Sequence, residues 1–167
     1  LEKDINLQIS EKLFAIFKTL GIKCEMTRYE DVMLDGGASS HKKMHDLKNR
    51  VLASEKYENC VFVSIHQNSY TNHKLRGAQV FYDKTSEISK QIADFIQEEF
   101  KQNLDKSIKS TSPGNYFMLK CTYAPSVIVE CGFLSNEEDE KLLQTPEYQE
   151  KIIDSIYKGI VNFFQIK

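Results

Sequence analysis

The sequence predicts an α/β fold in which a twisted, mostly parallel sheet carries helices on both faces, giving three layers. Short strand-like runs alternate with longer segments whose apolar residues recur every three or four positions. Two of the runs are almost wholly apolar, which is typical of strands buried on both faces. Because no internal repeat or linker interrupts the 167 residues, residues 1–167 are predicted to form a single domain.

The first part of the chain is predicted to form a helix, a strand and a long loop. Apolar residues at helical spacing from Ile5 to Leu20 predict an amphipathic helix that Gly21 ends. Apolar and polar residues then alternate from Ile22 to Thr27, which predicts a strand. The polar stretch from Asp31 to His45 is predicted to be either a simple exposed loop or a segment that covers a cleft or docks a partner.

The middle of the chain is predicted to alternate helices and strands. Thr85 or Ser86 is a candidate N-cap for a helix that extends to Phe100, and Glu87 lies in its first turn. The four predicted elements are a short helix around Asp46 to Leu52, a strand from Cys60 to Ile65, a strand from Gly77 to Tyr82, and a helix from Ile88 to Phe100.

The last part of the chain is predicted to hold two strands and two helices. Gly132 permits a tight turn after the strand that ends at Glu130, and Ser135 or Asn136 can cap the helix that follows. The four elements are a short strand from Tyr116 to Leu119, a strand from Pro125 to Glu130, a helix beginning at Glu137, and a closing helix that starts at Thr145-Pro146-Glu147 and extends to Phe163.

The composition excludes several classes of partner and site. With 22 basic and 24 acidic residues the net charge is −2, which gives no basic field for nucleic acid. No apolar run approaches the roughly 20 residues of a membrane span. The four cysteines are scattered singly, without the paired spacing of a zinc ribbon or a disulfide framework. No glycine-rich phosphate loop lies between a strand and a helix, so a nucleotide site is not predicted.

Two polar side chains follow the two most apolar strands. His66 comes directly after Ile65, and Glu130 comes directly after Val129. Ligand crevices of open α/β sheets lie beyond the carboxyl ends of the strands, where an imidazole and a carboxylate can form a hydrolytic metal site. A structural histidine and a buried salt bridge of Glu130 are the alternatives, and candidate partners for that bridge are Arg28, Arg50 and Lys120.

Ordered blocks over nearly the whole chain resemble the zinc-dependent N-acetylmuramoyl-L-alanine amidases of bacterial cell walls. The sequence around Gly77-Ala78-Gln79 is most similar to the germination-specific amidases of endospore formers. The blocks are Glu2-Lys3-Asp4-Ile5-Asn6-Leu7, Met26-Thr27-Arg28, Asp46-Leu47-Lys48-Asn49-Arg50, Ser64-Ile65-His66-Gln67-Asn68, Gly77-Ala78-Gln79-Val80-Phe81-Tyr82 and Val129-Glu130-Cys131-Gly132-Phe133-Leu134-Ser135-Asn136.

The resemblance implies hydrolysis of the amide that joins the lactyl group of N-acetylmuramic acid to L-alanine of the stem peptide. The family binds Zn²⁺ through two histidines and one glutamate. Glu2 matches the glutamate ligand, His66 matches the second histidine, and Glu130 matches the catalytic carboxylate. Candidates for contacts with the glycan and stem peptide are Asn68, Asn115 and Tyr116.

One departure from the family concerns the first histidine ligand. The family opens with a strand that ends in a Gly-His-Gly-Gly block, whereas this sequence begins after it, so the first strand of the sheet is expected to be absent. We therefore expect weak zinc binding and an open sheet edge that favours self-association. A catalytically silent wall-binding or partner-regulated module is the alternative function.

The remaining histidines do not match the block and are expected to be solvated loop residues; they are His41, His45 and His73.

The resemblance also implies a location and a partner. Because peptidoglycan lies outside the cytoplasm, we expect an extracytoplasmic protein of the cell wall or spore cortex, with an export signal upstream of Leu1 in the natural gene product. An activating protein partner is a further expectation. The resemblance implies neither a nucleic-acid partner nor a membrane span.

Overall fold

The computed structural model describes residues 1–37, 40–106 and 109–165. Within these residues it contains four strands, which are β1 (Phe62–Asn68), β2 (Gln79–Tyr82), β3 (Ser112–Pro113) and β4 (Ser126–Phe133). The helices in the same residues are α1 (Glu2–Thr19), α2 (Lys42–Ser54), α3 (Glu87–Asn103), α4 (Phe117–Cys121), α5 (Glu137–Leu143) and α6 (Pro146–Gln165).

The four strands form one sheet in the order β1-β4-β2-β3. The β1–β4 and β2–β3 pairs are parallel, whereas β2 runs antiparallel to β4. The predicted α/β fold with a mostly parallel sheet is therefore confirmed. Every residue of β4 is buried, whereas β1 is mostly half-buried and, in the described part of the chain, has β4 as its one strand neighbour.

One face of the sheet carries the hydrophobic core. Side chains alternate along a strand, so Val127, Val129 and Cys131 share a face, and the register places Val80 of β2 beside Val129. These residues form one buried cluster with apolar residues of α1, α3 and α6. The core therefore lies between this face and three helices.

The opposite face of the sheet carries polar as well as apolar side chains. Glu130 lies beside His66 on one neighbouring strand and beside Gln79 on the other. Two residues before Glu130 in β4, Ile128 lies on the same face beside Phe81 of β2.

The ring of Tyr116, directly before α4, packs edge-on against Phe81 with centroids 5.5 Å apart. This contact places α4 on the second face, where α4 also contacts α2. Helices thus cover both faces, as the sequence predicted.

Helices α3 and α6 approach closely at Gly159. A Cβ atom there would lie 2.6 Å from the Cα and 2.7 Å from the backbone nitrogen of Ile96. Gly159→Ala is therefore expected to push the helices apart and lower the free energy of unfolding by about 1–3 kcal/mol, measured by urea denaturation. Exposed Lys158→Ala is the control, with an expected change below about 0.5 kcal/mol. Equal stability of Gly159→Ala and wild type would contradict this prediction.

Two predicted strands are absent from the described residues. Ile22 to Thr27 forms no strand, although the half-burial of Cys24 and Met26 follows the predicted alternation. Alternation reports which side chains are covered, whereas a strand also requires a neighbouring backbone to pair with. Tyr116 to Leu119 is wrong as a strand, because α4 begins at Phe117 and buries the consecutive residues Met118 and Leu119. A four-residue apolar run does not distinguish the two structures.

Several predicted boundaries shift. Helix α2 begins at Lys42 rather than near Asp46, so the polar loop ends at His41, and residues 38 and 39 of that loop lie outside the described residues. Strands β1 and β4 extend beyond the predicted carboxyl ends. His66 therefore lies within β1 rather than just after it, and Glu130 lies within β4 rather than at its end. The predicted caps at Ser86 and Asn136 are confirmed, since each side chain accepts from a backbone N–H of the first helical turn.

Across residues 1–37, 40–106 and 109–165, none of the helices combines the length and apolar character needed to cross a bilayer.

Candidate active site

The site begins with two neighbouring strands that present His66 and Glu130 side by side. The parallel register pairs the Cα atoms of these two residues. Paired residues of adjacent strands point to the same face of a sheet, so both side chains lie on the face opposite the main core. The sequence predicted that these residues meet, and the sheet confirms it.

Helix α1 brings Glu2 to the same place. Its Oε1 atom lies 3.3 Å from Nδ1 of His66, although the two residues are far apart in the sequence. The same oxygen accepts from Nδ2 of Asn6 at 3.4 Å and from the backbone N–H of Gln67 at 3.5 Å. Hydrogen bonding by His66 lowers the pKa of Glu2, and it outweighs the opposing effect of partial burial. Glu2 is therefore an anion in contact with an imidazole.

The second ring nitrogen of His66 also has a partner. Its Nε2 lies 3.0 Å from Oγ of Ser64, two residues earlier in β1 and on the same face. In the hydrogen-bonded pair Nδ1 donates to the Glu2 carboxylate and Nε2 accepts from this hydroxyl. In the other tautomer Nε2 donates to Ser64, and the lone pair on Nδ1 can bind a cation. Ser64 thus fixes the orientation of the ring.

Glu130 lies deeper than the other two residues. Its side chain is 6% exposed, and Oε2 is buried without a hydrogen-bond partner. Burial raises the pKa of Glu130 to about 7, an effect that His66 opposes and Glu2 reinforces. Near neutral pH this carboxyl can therefore both accept and release a proton.

The predicted alternative, a salt bridge of Glu130, is not realised among the described residues. Arg50 pairs with Asp46, and Arg28 donates to the backbone carbonyls of Lys3 and Glu30. Lys120 forms no ion pair with Glu130 in the same residues. A buried carboxyl without a cation is typical of a reactive group rather than of a structural ion pair.

The pKa of Glu130 predicts a pH-dependent loss of stability. Below its ordinary value of 4.5 the carboxyl is protonated in both the folded and the unfolded chain. Between about pH 4.5 and 7 the unfolded chain releases this proton while the folded chain keeps it, so the free energy of unfolding falls as pH rises, by about 3 kcal/mol in total. Urea denaturation of wild type and Glu130→Gln over this range measures the difference. Parallel pH profiles of the two proteins would contradict the prediction.

The Glu2–His66 separation suits two metal ligands as well as the hydrogen bond described above. Donors that are each about 2.0–2.1 Å from a tetrahedral zinc ion lie about 3.3–3.4 Å apart, and Nδ1 and Oε1 are separated by 3.3 Å. Carboxylate oxygen and imidazole nitrogen are both common zinc donors. No group of three or more histidine, cysteine, aspartate or glutamate side chains that could hold a metal ion occurs in the described ranges. The structure thus brings two candidate donors together, and their role as ligands stays a prediction.

The other predicted contact residues lie at the end of β1 and directly before α4. Asn68 ends β1, and its Oδ1 accepts from the backbone N–H of Ser69 at 2.9 Å. Asn115 and Tyr116 precede α4. Burial raises the pKa of Tyr116, and the charges of Glu130 and Tyr70 raise it further.

Sequence analysis missed four neighbours of the site. Ser64 orients His66, and Gln79 lies beside Glu130 on β2. Tyr70 raises the pKa of Tyr116 through its charge, and the backbone N–H of Gln67 points at Glu2. The partner of a strand residue depends on strand order and register, so the local sequence carries no signal for Gln79. Gln67 continues the alternation of Val63 and Ile65, but it also begins the polar run Gln67-Asn68-Ser69, so the sequence carried only a weak signal for a buried position.

Asp139 anchors the strand that carries Glu130. It is 1% exposed, and its Oδ2 accepts from the backbone N–H groups of Gly77 at 2.7 Å and Phe133 at 2.9 Å. Gly132 passes so close that a Cβ there would lie 3.2 Å from the same oxygen. The end of β4, the start of α5 and the chain that enters β2 are thus joined at one carboxylate.

Comparison with known proteins shows the family of this chain. Residues 1–162 match the family of N-acetylmuramoyl-L-alanine amidases. The chain belongs to this amidase family. The predicted resemblance is therefore confirmed.

The chain is similar to individual amidases over almost its whole length. It is 34% identical to the germination-specific N-acetylmuramoyl-L-alanine amidase of Bacillus subtilis, over 100% of this chain and 72% of that protein. The structure of the CwlD amidase from Clostridioides difficile in complex with the GerS lipoprotein superposes with a TM-score of 0.92 at 38% identity, covering 99% of this chain and 87% of that one. The amidase AmiC2 of Nostoc punctiforme superposes with a TM-score of 0.84 at 30% identity, covering 99% and 85%.

Proposed function

We propose that this chain is a single catalytic domain that hydrolyses peptidoglycan at the amide between the lactyl group of N-acetylmuramic acid and L-alanine of the stem peptide. The observation that carries the proposal is the convergence of Glu2, His66 and Glu130 on one face of the sheet. Membership of the amidase family supports the choice of this bond among the amides that such a site could hydrolyse.

The proposed cofactor is one zinc ion. This sequence supplies two of the three ligands that the family resemblance implies: Glu2 would hold the ion through Oε1 and His66 through Nδ1, two donor atoms that lie 3.3 Å apart. A bound zinc ion lowers the pKa of a coordinated water molecule and polarises the substrate carbonyl. Ser64 holds the imidazole with Nδ1 toward this position, because its hydroxyl lies 3.0 Å from Nε2.

Glu130 is the proposed general base and acid. Its carboxylate takes a proton as water adds to the amide carbonyl, and the same proton passes to the alanine nitrogen as the carbon–nitrogen bond breaks. The products are a lactyl carboxylic acid and a free amino group. A pKa near 7 allows the group to perform both transfers at neutral pH.

The proposed substrate trough lies beside Glu130 on the polar face of the sheet. Asn68 and Asn115 supply amide groups for the glycan and stem peptide, and Tyr116 supplies an aromatic wall held against Phe81. Gly114 makes this wall possible, since a Cβ there would lie 2.5 Å from the Tyr116 ring. Trough and reacting groups thus share one face.

We further propose an extracytoplasmic location, in the cell wall or spore cortex, because peptidoglycan is the proposed substrate. The germination-specific name of the Bacillus subtilis relative supports a role in spore cortex processing. An activating protein partner is proposed by analogy with the CwlD–GerS complex.

Product analysis tests the proposed reaction. The chain, supplied with zinc, is incubated with purified peptidoglycan, and free α-amino groups are labelled and identified after acid hydrolysis. We expect new amino-terminal L-alanine to accumulate with time, and a chelator to stop it. If only amino groups of other residues appear, the proposed bond is wrong; if none appear, the wall-binding alternative is favoured.

A further inference from the structure

Gln67 is a polar side chain in an apolar position. It follows Val63 and Ile65 on the core-facing side of β1, and it is 4% exposed. Its Oε1 atom is buried without a hydrogen-bond partner, a state shared among the described side chains by Oε2 of Glu130 alone. An unpartnered buried carbonyl oxygen destabilises a fold. The amide of Gln67 also interacts with the buried Cys131 thiol, whose pKa burial raises and this interaction lowers, but the oxygen itself contributes no stability that would account for a glutamine here.

The other end of the Gln67 amide contacts helix α1. Its Nε2 donates to Oδ1 of Asn6 at 3.1 Å. This bond fixes which end of the Asn6 amide faces the core, and it turns Nδ2 of Asn6 toward Glu2, where Oε1 is 3.4 Å away. The backbone N–H of Gln67 also points at Oε1 of Glu2, at 3.5 Å. The side-chain amide of Gln67, through Asn6, and the backbone N–H of Gln67 therefore both support the Glu2 carboxylate.

Glu2 is only partly enclosed by its surroundings in α1. Its side chain is about half exposed, at 46%. Asn6 lies one helical turn later and connects this exposed carboxylate to the rigid sheet through Gln67.

We propose that Asn6 and Gln67 are positioning residues that hold the Glu2 carboxylate against His66 in the orientation needed for a metal ligand. The inference rests on the proposed function. Amide groups suit this role, because they orient the carboxylate by hydrogen bonding and leave its negative charge available for a cation. A lysine in the place of Asn6 would compete with the metal for that charge.

Two variants and one matched control test the proposal. Gln67→Met keeps the volume of the side chain and removes its hydrogen bonds, and Asn6→Leu removes the donor to Glu2. The control is Gln149→Met, because Gln149 is equally buried at 4% and binds Gln8 and the Leu143 carbonyl in α1 and α5, away from the site. Thermal denaturation, side-chain amide exchange and zinc binding are measured for all of them.

The expected results separate positioning from a structural role. In the metal-free protein, NMR exchange of the Asn6 Nδ2 protons with water should be at least about tenfold faster in Gln67→Met than in wild type or Gln149→Met. Competition with a chromophoric chelator should show zinc affinity about 10- to 100-fold weaker in Gln67→Met and Asn6→Leu. The denaturation midpoint of Gln67→Met should be unchanged or higher, since the unpartnered oxygen is gone.

The opposite results overturn the inference. It is wrong if Asn6 exchange is unchanged in Gln67→Met, or if both variants bind zinc as tightly as a zinc-binding wild type. If the wild-type chain itself binds no zinc, the metal role in the proposed function fails, whereas the exchange measurement still decides whether Gln67 holds Asn6 toward Glu2.

Discussion

Replacing Glu130 with glutamine is expected to lower kcat by about 10²- to 10⁴-fold, the usual contribution of a positioned general acid and base. Glutamine has nearly the same shape but neither accepts nor releases a proton at neutral pH. Because the carboxyl is buried without a partner for Oε2, the substitution removes no described hydrogen bond of that atom. The measurement is the rate at which amino-terminal L-alanine forms from peptidoglycan, with zinc content determined in parallel.

The control for this variant is Glu137→Gln, which removes an exposed carboxylate at the start of α5. Its kcat should match that of the wild type. Glu130→Gln should retain the wild-type circular dichroism spectrum and zinc affinity, since Glu2 and His66 are the proposed ligands. Loss of zinc from Glu130→Gln would show that Glu130 is a ligand and would refute its assignment as base and acid.

Replacing Asp139 with alanine is expected to lower the free energy of unfolding by about 3–5 kcal/mol. The carboxylate is 1% exposed and accepts from two backbone N–H groups, those of Gly77 and Phe133. Alanine leaves both donors without their carboxylate acceptor and opens a void beside Gly132. Urea denaturation followed by circular dichroism measures the loss, and the midpoint should fall without a change in cooperativity.

Glu138→Ala is the matched control for the Asp139 prediction. Glu138 is the preceding residue of α5 and pairs with Arg76 at the surface, so its loss should change the free energy of unfolding by less than about 1 kcal/mol. If Asp139→Ala is as stable as Glu138→Ala, the bonds to Gly77 and Phe133 contribute little. In that case the end of β4 is held by the packing of Leu143 against Gly132 instead.

Much of the fold was predictable because helices and buried strands carry local periodic patterns. The long amphipathic helices and the apolar strands around Val63 and Val129 were predicted from residue spacing alone. Strand 22–27 was predicted wrongly, because alternation does not report whether a neighbouring backbone is present. The short segment at Met118 and Leu119 was wrong because four residues are too few to establish a period.

The site was predictable to a smaller extent. His66 and Glu130 follow from the rule that functional side chains gather at the ends of parallel strands, whereas Glu2 followed only from the family resemblance. Nothing in the local sequence around Glu2 distinguishes it from the other acidic residues in the first turn of a surface helix. The roles of Gln67 and Gln79 depend on register and on helix docking, which are long-range properties.

Strand β4 places Val129 in the core and Glu130, the next residue, on the opposite face of the sheet, where the substrate trough is proposed. Inserting or deleting a single residue within 126–133 would exchange the two, which would put a carboxylate in the apolar core and a valine side chain where the reaction is proposed to occur. Changes of length during evolution or engineering are therefore tolerable in the connecting loops but not along this strand.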